Sequence, residues 1–265
     1  ESQIGLYLLS RWGDDHGRRF GSGSELLKAA NEKKLPYDEV VSVGTHKTTA
    51  GRTLVASALP EDMRLGPLAE DQKFELDKAN LQSLMVELAR KHPGRFAETI
   101  DKVKDIGFDH SYRSGLTLSM KTLAPLSEIR DKALADADVT VRAAMAKGVR
   151  GAPLNKIRVK AYTTATETID VEAQKLLSSS GNPLYRMSRS GSKPSWDQVR
   201  QMIVAPILLQ DGHGATMPLP VRKSYMEGLD VSEYWTAAHG ARKGILDKTL
   251  EVSEPGALNK KISAT

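Results

Sequence analysis

One stretch near the end of the chain, residues 232–262, constrains the fold more than any other. It consists largely of helix-forming residues with no turn cluster before Glu254, and therefore predicts one long α-helix. Apolar and small residues recur along it at steps of three and four, which places them on one helix face. They are Tyr234, Ala238, Ala241, Ile245, Thr249 and Val252. Gly240 and Gly244 each cost about 1 kcal/mol against alanine, so a bulky partner approaches this helix closely or the helix is built to bend.

Pro255 predicts an interruption in the same helix. Proline lacks the N–H that the helix ladder needs, and it disfavours helical geometry at the residue before it. We therefore expect regular helix over 231–253, a kink or break over 254–256, and a short resumed turn at 260–261. The alternative is a helix that simply stops at Glu254.

Positive charge is concentrated in two parts of the chain, whose formal net charge is +5. Residues 141–163 carry six basic and no acidic side chains, and residues 182–225 carry six basic and two acidic ones. Clusters of this kind can follow the phosphates of a nucleic acid. A solvated face or an acidic partner subunit explains them equally well.

Composition excludes several classes of protein. The 265 residues contain no cysteine, which rules out disulfides and cysteine-ligated metal sites and is typical of a cytoplasmic protein. No signal peptide and no apolar run of about 18 residues is present, so we expect no membrane contact. The acidic cluster at 14–16 lies between Gly13 and Gly17, which favours a loop cap over a metal site.

Apolar periodicity predicts two helical hairpins. The first joins a helix over 69–91 to a second helix that starts near residue 96. The second hairpin joins helices over 125–145 and 157–177 through a turn over 147–153 that contains glycine and proline. With aromatic residues at only 5% of the chain, these patterns favour layered helices over a compact enzyme core.

The long stretch also resembles a known element, the bridge helix of the β′ subunit of multisubunit RNA polymerases. The residues that carry the resemblance are His-Gly-Ala-Arg-Lys-Gly at 239–244, Asp247, Thr249, Gly-Ala-Leu at 256–258, Lys260 with Lys261, and a Glu-Gly-Leu lead-in at 227–229. The combination is long and ungapped. Periodicity alone would indicate only an amphipathic helix that contains glycines.

Four earlier segments resemble the same subunit in the same order. They are Ser-Gln-Ile-Gly-Leu-Tyr-Leu-Leu-Ser at 2–10, Thr-Thr-Ala-Gly-Arg at 48–52, a segment with Gly-Phe and Arg-Ser-Gly at 106–117, and Met-Ser-Arg-Ser-Gly-Ser-Lys at 187–193. Taken alone, the second is a turn with a hydroxyl cap. The chain departs from the family at 119–123, where an acidic pair is missing, and at Pro194, where the family has glycine. The family's catalytic Asn-Ala-Asp-Phe-Asp-Gly-Asp loop is not in this sequence.

The resemblance implies a mainly α fold, that is α+β with minor strands. The chain would be an extended, multi-segment part of a double-psi β-barrel RNA polymerase β′ subunit with a long bridge helix. Residues 1–25 would end the active-site domain and residues 26–124 would form a pore domain. Residues 125–181 would form a funnel domain with rim helices, and residues 182–265 a cleft domain with the F-loop and bridge helix.

Three groups of site residues follow from the resemblance, with no catalytic or metal-binding residue on this chain. The bridge helix would meet nucleic acid at Arg242, Lys243, Thr249, Val252, Ser253, Lys260 and Lys261. The F-loop would support the bridge helix and the moving trigger loop through Arg189, Ser190, Gly191, Ser192 and Lys193. The pore and secondary channel would use Thr48, Thr49, Arg52, Arg113 and Ser114.

The implied activity of the assembled enzyme is RNA synthesis from nucleoside triphosphates, with Mg²⁺ held by aspartates on another chain. The implied partners are β-like and further β′-like subunits, template DNA and nascent RNA. A β′ subunit divided among polypeptides is typical of giant bacteriophages, which would place this chain in the cytoplasm of an infected bacterium. The alternatives are a non-catalytic nucleic-acid-binding scaffold derived from a polymerase, and a plain helical interaction protein.

Overall fold

The computed structural model describes residues 1–64 and 71–264, and helices predominate there. In chain order the elements are α1 (Ser2–Ser10), β1 (Asp15–Phe20), α2 (Gly23–Asn31), β2 (Val40–Val43), β3 (His46–Thr49), α3 (Ala50–Ala58), α4 (Lys78–Lys91), α5 (Phe96–Ser114), α6 (Ser127–Ala146), α7 (Gly151–Ser179), α8 (Pro183–Arg189), α9 (Trp196–Ile203) and α10 (Val231–Ser263). No helix in these two described ranges is long and apolar enough to cross a membrane.

The chain divides into two compact units that interleave in sequence. Unit 1 comprises residues 1–118 and 186–195, and unit 2 comprises residues 119–185 and 196–265. The four domains expected from the resemblance stay a prediction, because this division groups their segments differently without testing what each one is. The two units are described separately below.

Unit 1 contains a small three-stranded sheet in the order β1-β2-β3. β2 runs antiparallel to β3, from Val40 opposite Thr49 to Val43 opposite His46, and parallel to β1. Gly44 makes the tight turn between β2 and β3 with φ of 61°, which glycine adopts without steric cost. The predicted class, mainly helical with minor strands, is confirmed, while membership of this sheet in a double-psi barrel stays a prediction.

α1 lies at the centre of unit 1, where α3 and α5 pack against it. Leu6 and Leu9 of α1 are fully buried among apolar side chains that include Val55 and Val103. Burying an aliphatic side chain of this size contributes about 1.5 to 3 kcal/mol, so α1 organises the core of the unit.

Glycines allow α3 and α5 to approach α1 closely. A Cβ atom on Gly5 would lie 1.8 Å from the carbonyl oxygen of Gly107 in α5. A Cβ atom on Gly51 would lie 2.2 Å from the carbonyl oxygen of Leu9. Because backbone atoms occupy these positions, no side chain fits there. The glycines of three separate sequence motifs are therefore explained by packing on one short helix.

The helix predicted over 69–91 begins later than expected. Residues 69 and 70 lie outside the described residues, residues 71–77 form turns and extended chain, and α4 starts only at Lys78. Long-range hydrogen bonds hold this segment in its non-helical form. The Arg52 side chain donates to two of its carbonyls at 2.5 and 2.7 Å, and the Ser10 hydroxyl accepts one of its N–H groups at 2.7 Å. The start predicted from periodicity is therefore wrong.

The second predicted hairpin is present in unit 2 as α6 and α7. Small residues such as Ala137 on α6 pack against residues such as Ile169 on α7 in a shared core. The turn is shorter than expected, because α7 begins at Gly151 and Pro153 lies in its first turn, where a missing N–H costs nothing. Leu177 is buried in this core, whereas Leu176 is 45% exposed.

The acidic cluster at 14–16 serves as a local cap. The Asp15 carboxylate accepts a hydrogen bond from the Gly17 N–H at 2.8 Å and one from the Lys47 ammonium at 2.7 Å. The bond from Lys47 lowers the pKa of the Asp15 carboxyl. The cap interpretation is therefore confirmed. Among the described residues, no three or more His, Cys, Asp or Glu side chains are grouped so as to hold a metal ion.

Candidate nucleic-acid interface

α10 begins at Val231, as predicted, and the residues before it fix that start. The Glu233 carboxylate accepts hydrogen bonds from the backbone N–H of Asp230 at 3.2 Å and of Arg222 at 2.7 Å. A glutamate at the third helical position also favours the positive end of the helix dipole. The first turn of α10 is thus tied to the segment that leads into it.

The predicted break at Pro255 is wrong, and so is the alternative that the helix stops at Glu254, whereas a kink within the continuous helix stays a prediction. α10 continues through Pro255 to Ser263. Pro255 has no N–H, so the carbonyl of Glu251 lacks its usual helical hydrogen-bond donor. Residues 248–262 are all exposed in this chain, so water can satisfy that carbonyl while the neighbouring helical hydrogen bonds persist.

No residue of α10 is buried within the chain. Its large apolar side chains are between 49% and 88% exposed, and they are Val231, Tyr234, Trp235, Ile245, Leu246, Leu250, Val252, Leu258 and Ile262. A helix that presents this much apolar surface to solvent is typical of an interaction site. α10 is therefore a surface that other molecules would cover.

The residues predicted to meet nucleic acid lie along this uncovered surface. Those that are exposed are Arg242, Thr249, Val252, Ser253, Lys260 and Lys261. Arg242 has no acidic partner among the described residues. Lys243 is half-buried and pairs with Asp247, and the Thr249 hydroxyl donates to the carbonyl of Ile245 at 2.8 Å.

Gly240 and Gly244 of α10 are not required by packing inside the chain. A Cβ atom on Gly240 would meet Leu209 at 3.6 Å, an ordinary contact distance, and one on Gly244 would meet nothing within 4 Å. Close approach by a molecule outside this chain, or a bend, stays a prediction for both positions.

The Glu-Gly-Leu lead-in anchors α10 to α6. The Glu227 carboxylate accepts hydrogen bonds from the Arg130 guanidinium and from the Ser224 N–H at 2.9 Å and hydroxyl at 2.7 Å. Burial alone would raise the pKa of Glu227, but these hydrogen bonds outweigh it and lower the pKa to about 2. The sequence indicated Glu227 through the motif but gave no signal for Arg130, which lies 97 residues away.

A second anchor joins the α6–α7 hairpin to Arg222, which lies shortly before the lead-in. No signal in the sequence indicated this contact either. The Arg222 guanidinium donates to both oxygens of Asp138 at 2.7 and 3.0 Å. The Tyr162 hydroxyl donates to Asp138 as well, at 2.7 Å. A bidentate arginine–carboxylate pair of this kind fixes the relative orientation of the two side chains as well as their distance. The start of α10 is therefore held by the hairpin at two points.

The predicted F-loop lies in unit 1, where its backbone is packed. The Gln3 side-chain amide of α1 donates to the Ser190 carbonyl at 2.6 Å, and the Ser190 side chain is fully buried. Gly191 has φ of 77°, and a Cβ atom there would lie 2.5 Å from the Cβ atom of Lys78 in α4. Both residues are therefore fixed by contacts with α1 and α4.

The remaining F-loop residues present polar groups around this packed turn. Arg189 lies 3.6 Å from the carboxylate of Asp77 and 3.9 Å from that of Glu75. The Ser192 hydroxyl oxygen is buried and has no hydrogen-bond partner in the part of the chain described. Lys193 is exposed.

Two residues of the predicted secondary-channel group, Thr49 and Arg52, are buried inside unit 1. The Thr49 hydroxyl accepts the Arg52 N–H at 3.2 Å and caps α3. The Arg52 guanidinium donates to backbone carbonyls, including that of Ser10 at 2.8 Å, and lies over the Trp12 ring at 4.7 Å. Burial lowers the pKa of Arg52 to about 10, so it keeps its charge at neutral pH. Its guanidinium faces the protein interior.

The other three residues of that group are nearer the surface. Thr48 is half-buried in β3. Arg113, near the end of α5, donates to Asp109 at 2.9 Å. The Ser114 hydroxyl donates to the Ser111 carbonyl at 2.8 Å. Arg113 and Ser114 line the same cavity in unit 1.

These features define a mainly helical segment that exposes one long helix rich in apolar side chains. No protein-family model matches the chain. It is 31% identical over 231 residues to the DNA-directed RNA polymerase subunit beta′ of Caldanaerobacter subterraneus, a match that covers 82% of this chain and 19% of that subunit. The subunit of the same name from Clostridioides difficile is 30% identical over 281 residues, with 98% of this chain and 24% of the relative covered.

A third relative gives the same result. The beta′ subunit of Kocuria rhizophila is 34% identical over 222 residues, covering 82% of this chain and 16% of its own length. The chain thus spans about a fifth of the length of the curated relatives it matches. Over most of its length it is homologous to a segment of the β′ subunit of DNA-directed RNA polymerase, which confirms the resemblance carried by the motifs.

Proposed function

We propose that this chain is a segment of a β′-like subunit of a multisubunit DNA-directed RNA polymerase, and that α10 is its bridge helix. Similarity to β′ subunits over 82% to 98% of the chain supports the first part. One observation carries the second. The His-Gly-Ala-Arg-Lys-Gly run lies in a helix of 33 residues, none of which is buried by the chain itself.

In this proposal α10 lies against the template DNA and the RNA–DNA hybrid. Arg242, which has no acidic partner among the described residues, is available for a backbone phosphate, and Lys260 and Lys261 add positive charge further along the helix. Val252 and Ser253 are small and exposed, so a template base could approach and stack at this point. Thr249, one turn earlier, has its hydroxyl proton bound within the helix and would present an oxygen acceptor and a methyl group.

The other two groups of residues would act around this helix. The F-loop residues, from Arg189 to Lys193, would support the bridge helix and the trigger loop of the assembled enzyme. Thr48, Arg113 and Ser114 would face the secondary channel. Thr49 and Arg52 would act from inside, by fixing the backbone behind that surface rather than by contacting substrate.

The chain would work only as part of a larger assembly. Its partners would be β-like and further β′-like subunits, template DNA, nascent RNA and nucleoside triphosphates, in the cytoplasm of a bacterium. The described residues contain no group that fits a metal ion. We therefore assign no residue of this chain to the Mg²⁺ ions of the assembled enzyme, which aspartates on another chain would hold.

Substitution of one arginine tests the bridge-helix role. In the enzyme assembled around this chain, Arg242→Ala should shorten the lifetime of elongation complexes and lower the slope of log affinity against log salt by about 0.9, the value for one lost phosphate contact. Arg95→Ala removes the same charge from an exposed site in unit 1 and serves as the matched control. Equal salt slopes for the two variants would show that Arg242 contacts no phosphate and belongs to a solvated face of the helix.

Purification of the native assembly tests the subunit assignment. We expect a co-purifying chain that carries the Asp-Phe-Asp-Gly-Asp motif, and template-dependent RNA synthesis by the complex. Phage-encoded partner chains, identified by mass spectrometry, would support a divided bacteriophage polymerase. Nucleic-acid binding without any such chain and without RNA synthesis would favour the non-catalytic scaffold instead.

A further inference from the structure

Unit 1 contains a cavity of about 590 Å³ whose lining is strongly basic. The charged side chains that line it are Arg11, Lys33, Lys34, Asp38, Arg113 and Arg186. Five of these six carry positive charge at neutral pH. This volume lies within the range of small-molecule and cofactor sites, about 300 to 1,000 Å³.

The positive charges in this cavity are incompletely neutralised by the chain. Arg11 lies 3.5 Å from the carboxylate of Asp38. Arg186 is half-buried, and its guanidinium has no hydrogen bond or ion pair to any described residue. Burial and the nearby charge of Arg11 both lower the pKa of Arg186. Two partly buried guanidinium groups with one carboxylate between them leave a net positive charge, which a bound anion would stabilise.

The backbone at the edge of the cavity carries a further unusual feature. Lys33 has φ of 57°, in the left-handed region, where it ends α2 by donating its N–H to the Ala30 carbonyl at 3.0 Å. Glycine or asparagine usually occupies such a position, and another residue there costs about 1 kcal/mol. A lysine at this point adds an ammonium group to the lining in spite of that cost.

The cavity also has aromatic and apolar lining residues. The rings of Tyr37 and His110 contact each other edge to face, with centroids 5.0 Å apart. Burial lowers the pKa of His110, so its ring is neutral at neutral pH. Leu35 is buried beside them and Leu116 is half-buried. These aromatic and apolar side chains can contact a flat aromatic ring. The positively charged side chains of the lining can bind an oxyanion.

We propose that this cavity binds a nucleoside phosphate. Arg11 and Arg186 would hold the phosphoryl oxygens, Lys33 would add charge at the edge, and the base would contact Tyr37 and His110. Arginine suits this role because its planar group can donate two parallel hydrogen bonds to phosphate. The cavity lies in unit 1, whereas α10 belongs to unit 2, so this site is independent of the bridge-helix proposal.

Photolabelling with 8-azido-ATP tests the site on the chain purified with its own partner subunits. The readout is the labelled peptide, which separates this cavity from any other nucleotide site in the assembly. We expect labelling within residues 30–38 or 110–116, and protection by ATP. The double variant Arg11→Gln/Arg186→Gln should need about tenfold or more ATP for the same protection, as expected for the loss of charged hydrogen bonds.

Two controls make the outcome decisive. Arg95→Gln removes one exposed charge from unit 1 outside the cavity and should leave protection unchanged, and a urea midpoint within error of the parent should show that the double variant is folded. ATP should protect at about tenfold lower concentration than inorganic tripolyphosphate, because the base adds its own contacts. Equal protection by tripolyphosphate, labelling only elsewhere, or an unaffected double variant would each overturn the proposal.

Discussion

α1 and α10 both carry glycine-containing motifs, yet the two helices differ in how far the chain buries them. α1 has nine residues and five of them are buried, while α10 has 33 residues and none is buried. At α1, backbone atoms of α5 fill the space in front of Gly5. At α10, a Cβ atom on Gly240 would make only an ordinary contact at 3.6 Å, and one on Gly244 would meet nothing within 4 Å. Glycines in similar motifs therefore have different causes. In unit 1 the cause is packing inside the chain, and in unit 2 we propose that it is contact with external partners.

The largest difference is expected when a methyl group is added to a glycine in each helix. Gly5→Ala places a Cβ atom 1.8 Å from the Gly107 carbonyl oxygen, so the two helices must separate. We expect unit 1 to lose about 3 kcal/mol or more, measured by urea unfolding. Gly244→Ala meets nothing and should be neutral or stabilise its helix by up to about 1 kcal/mol. Tolerance of Gly5→Ala would remove the packing explanation for the motif.

Replacement of one arginine in each region should also change the free energy of unfolding by different amounts. Arg52→Met removes the guanidinium that donates to the carbonyls of residues 10, 71, 72 and 74, so we expect a cost of about 3 kcal/mol in urea unfolding. Arg242→Met on exposed α10 should change unfolding by less than about 0.5 kcal/mol, whatever it does to nucleic-acid binding. Similar costs for the two variants would contradict the assignment of Arg52 as internal.

Acid should weaken the anchor of α10 through Glu227. Its pKa is lowered from 4.5 to about 2 in the folded chain, so its contribution is fully present above about pH 4.5 and is lost as the pH falls toward 2. After allowance for solvent screening we expect about 1 to 2 kcal/mol. The difference in unfolding free energy between the parent and Glu227→Gln, measured against pH, should shrink over this interval. A difference that does not depend on pH would exclude this titration.

Pro255→Ala should have the smallest effect on global stability. It restores the missing donor to the Glu251 carbonyl, which favours helix locally by up to about 3 kcal/mol. Because no residue of α10 is buried, that gain should not reach the unfolding midpoint of the chain. Hydrogen exchange of the amides around residues 251–259 should slow instead. A raised midpoint would show that α10 is coupled to a core, although none of its residues is buried.

Local signals in the sequence predicted the elements well and their long-range contacts poorly. The start of α10 and both helices of the α6–α7 hairpin followed from periodicity. The late start of α4 did not, because Arg52 and Ser10 hold the preceding segment from elsewhere in the chain. The break at Pro255 was wrong because water can satisfy the one freed carbonyl on this solvated helix while the neighbouring helical hydrogen bonds persist.

The candidate site shows the same division. Residues on α10 were predicted from one continuous motif, and the structure leaves all of them except Lys243 exposed. The pair of Arg222 with Asp138 joins residues 84 positions apart, and no local pattern indicates which acid an arginine will meet. The cavity around Arg11 and Arg186 was missed for the same reason, since α5, α8 and the α2–β2 loop contribute to it from distant parts of the chain.

The return of residues 186–195 to unit 1 has a consequence for how the protein is made. The Gln3 side chain bonds the Ser190 backbone across 187 positions, so α1 cannot complete its contacts until the ribosome has synthesised the residues through Ser190. Contacts between such distant positions form slowly, because a long loop must close first. No single cut releases either unit whole, so separate expression of unit 1 requires residues 1–118 joined to residues 186–195 by a short linker.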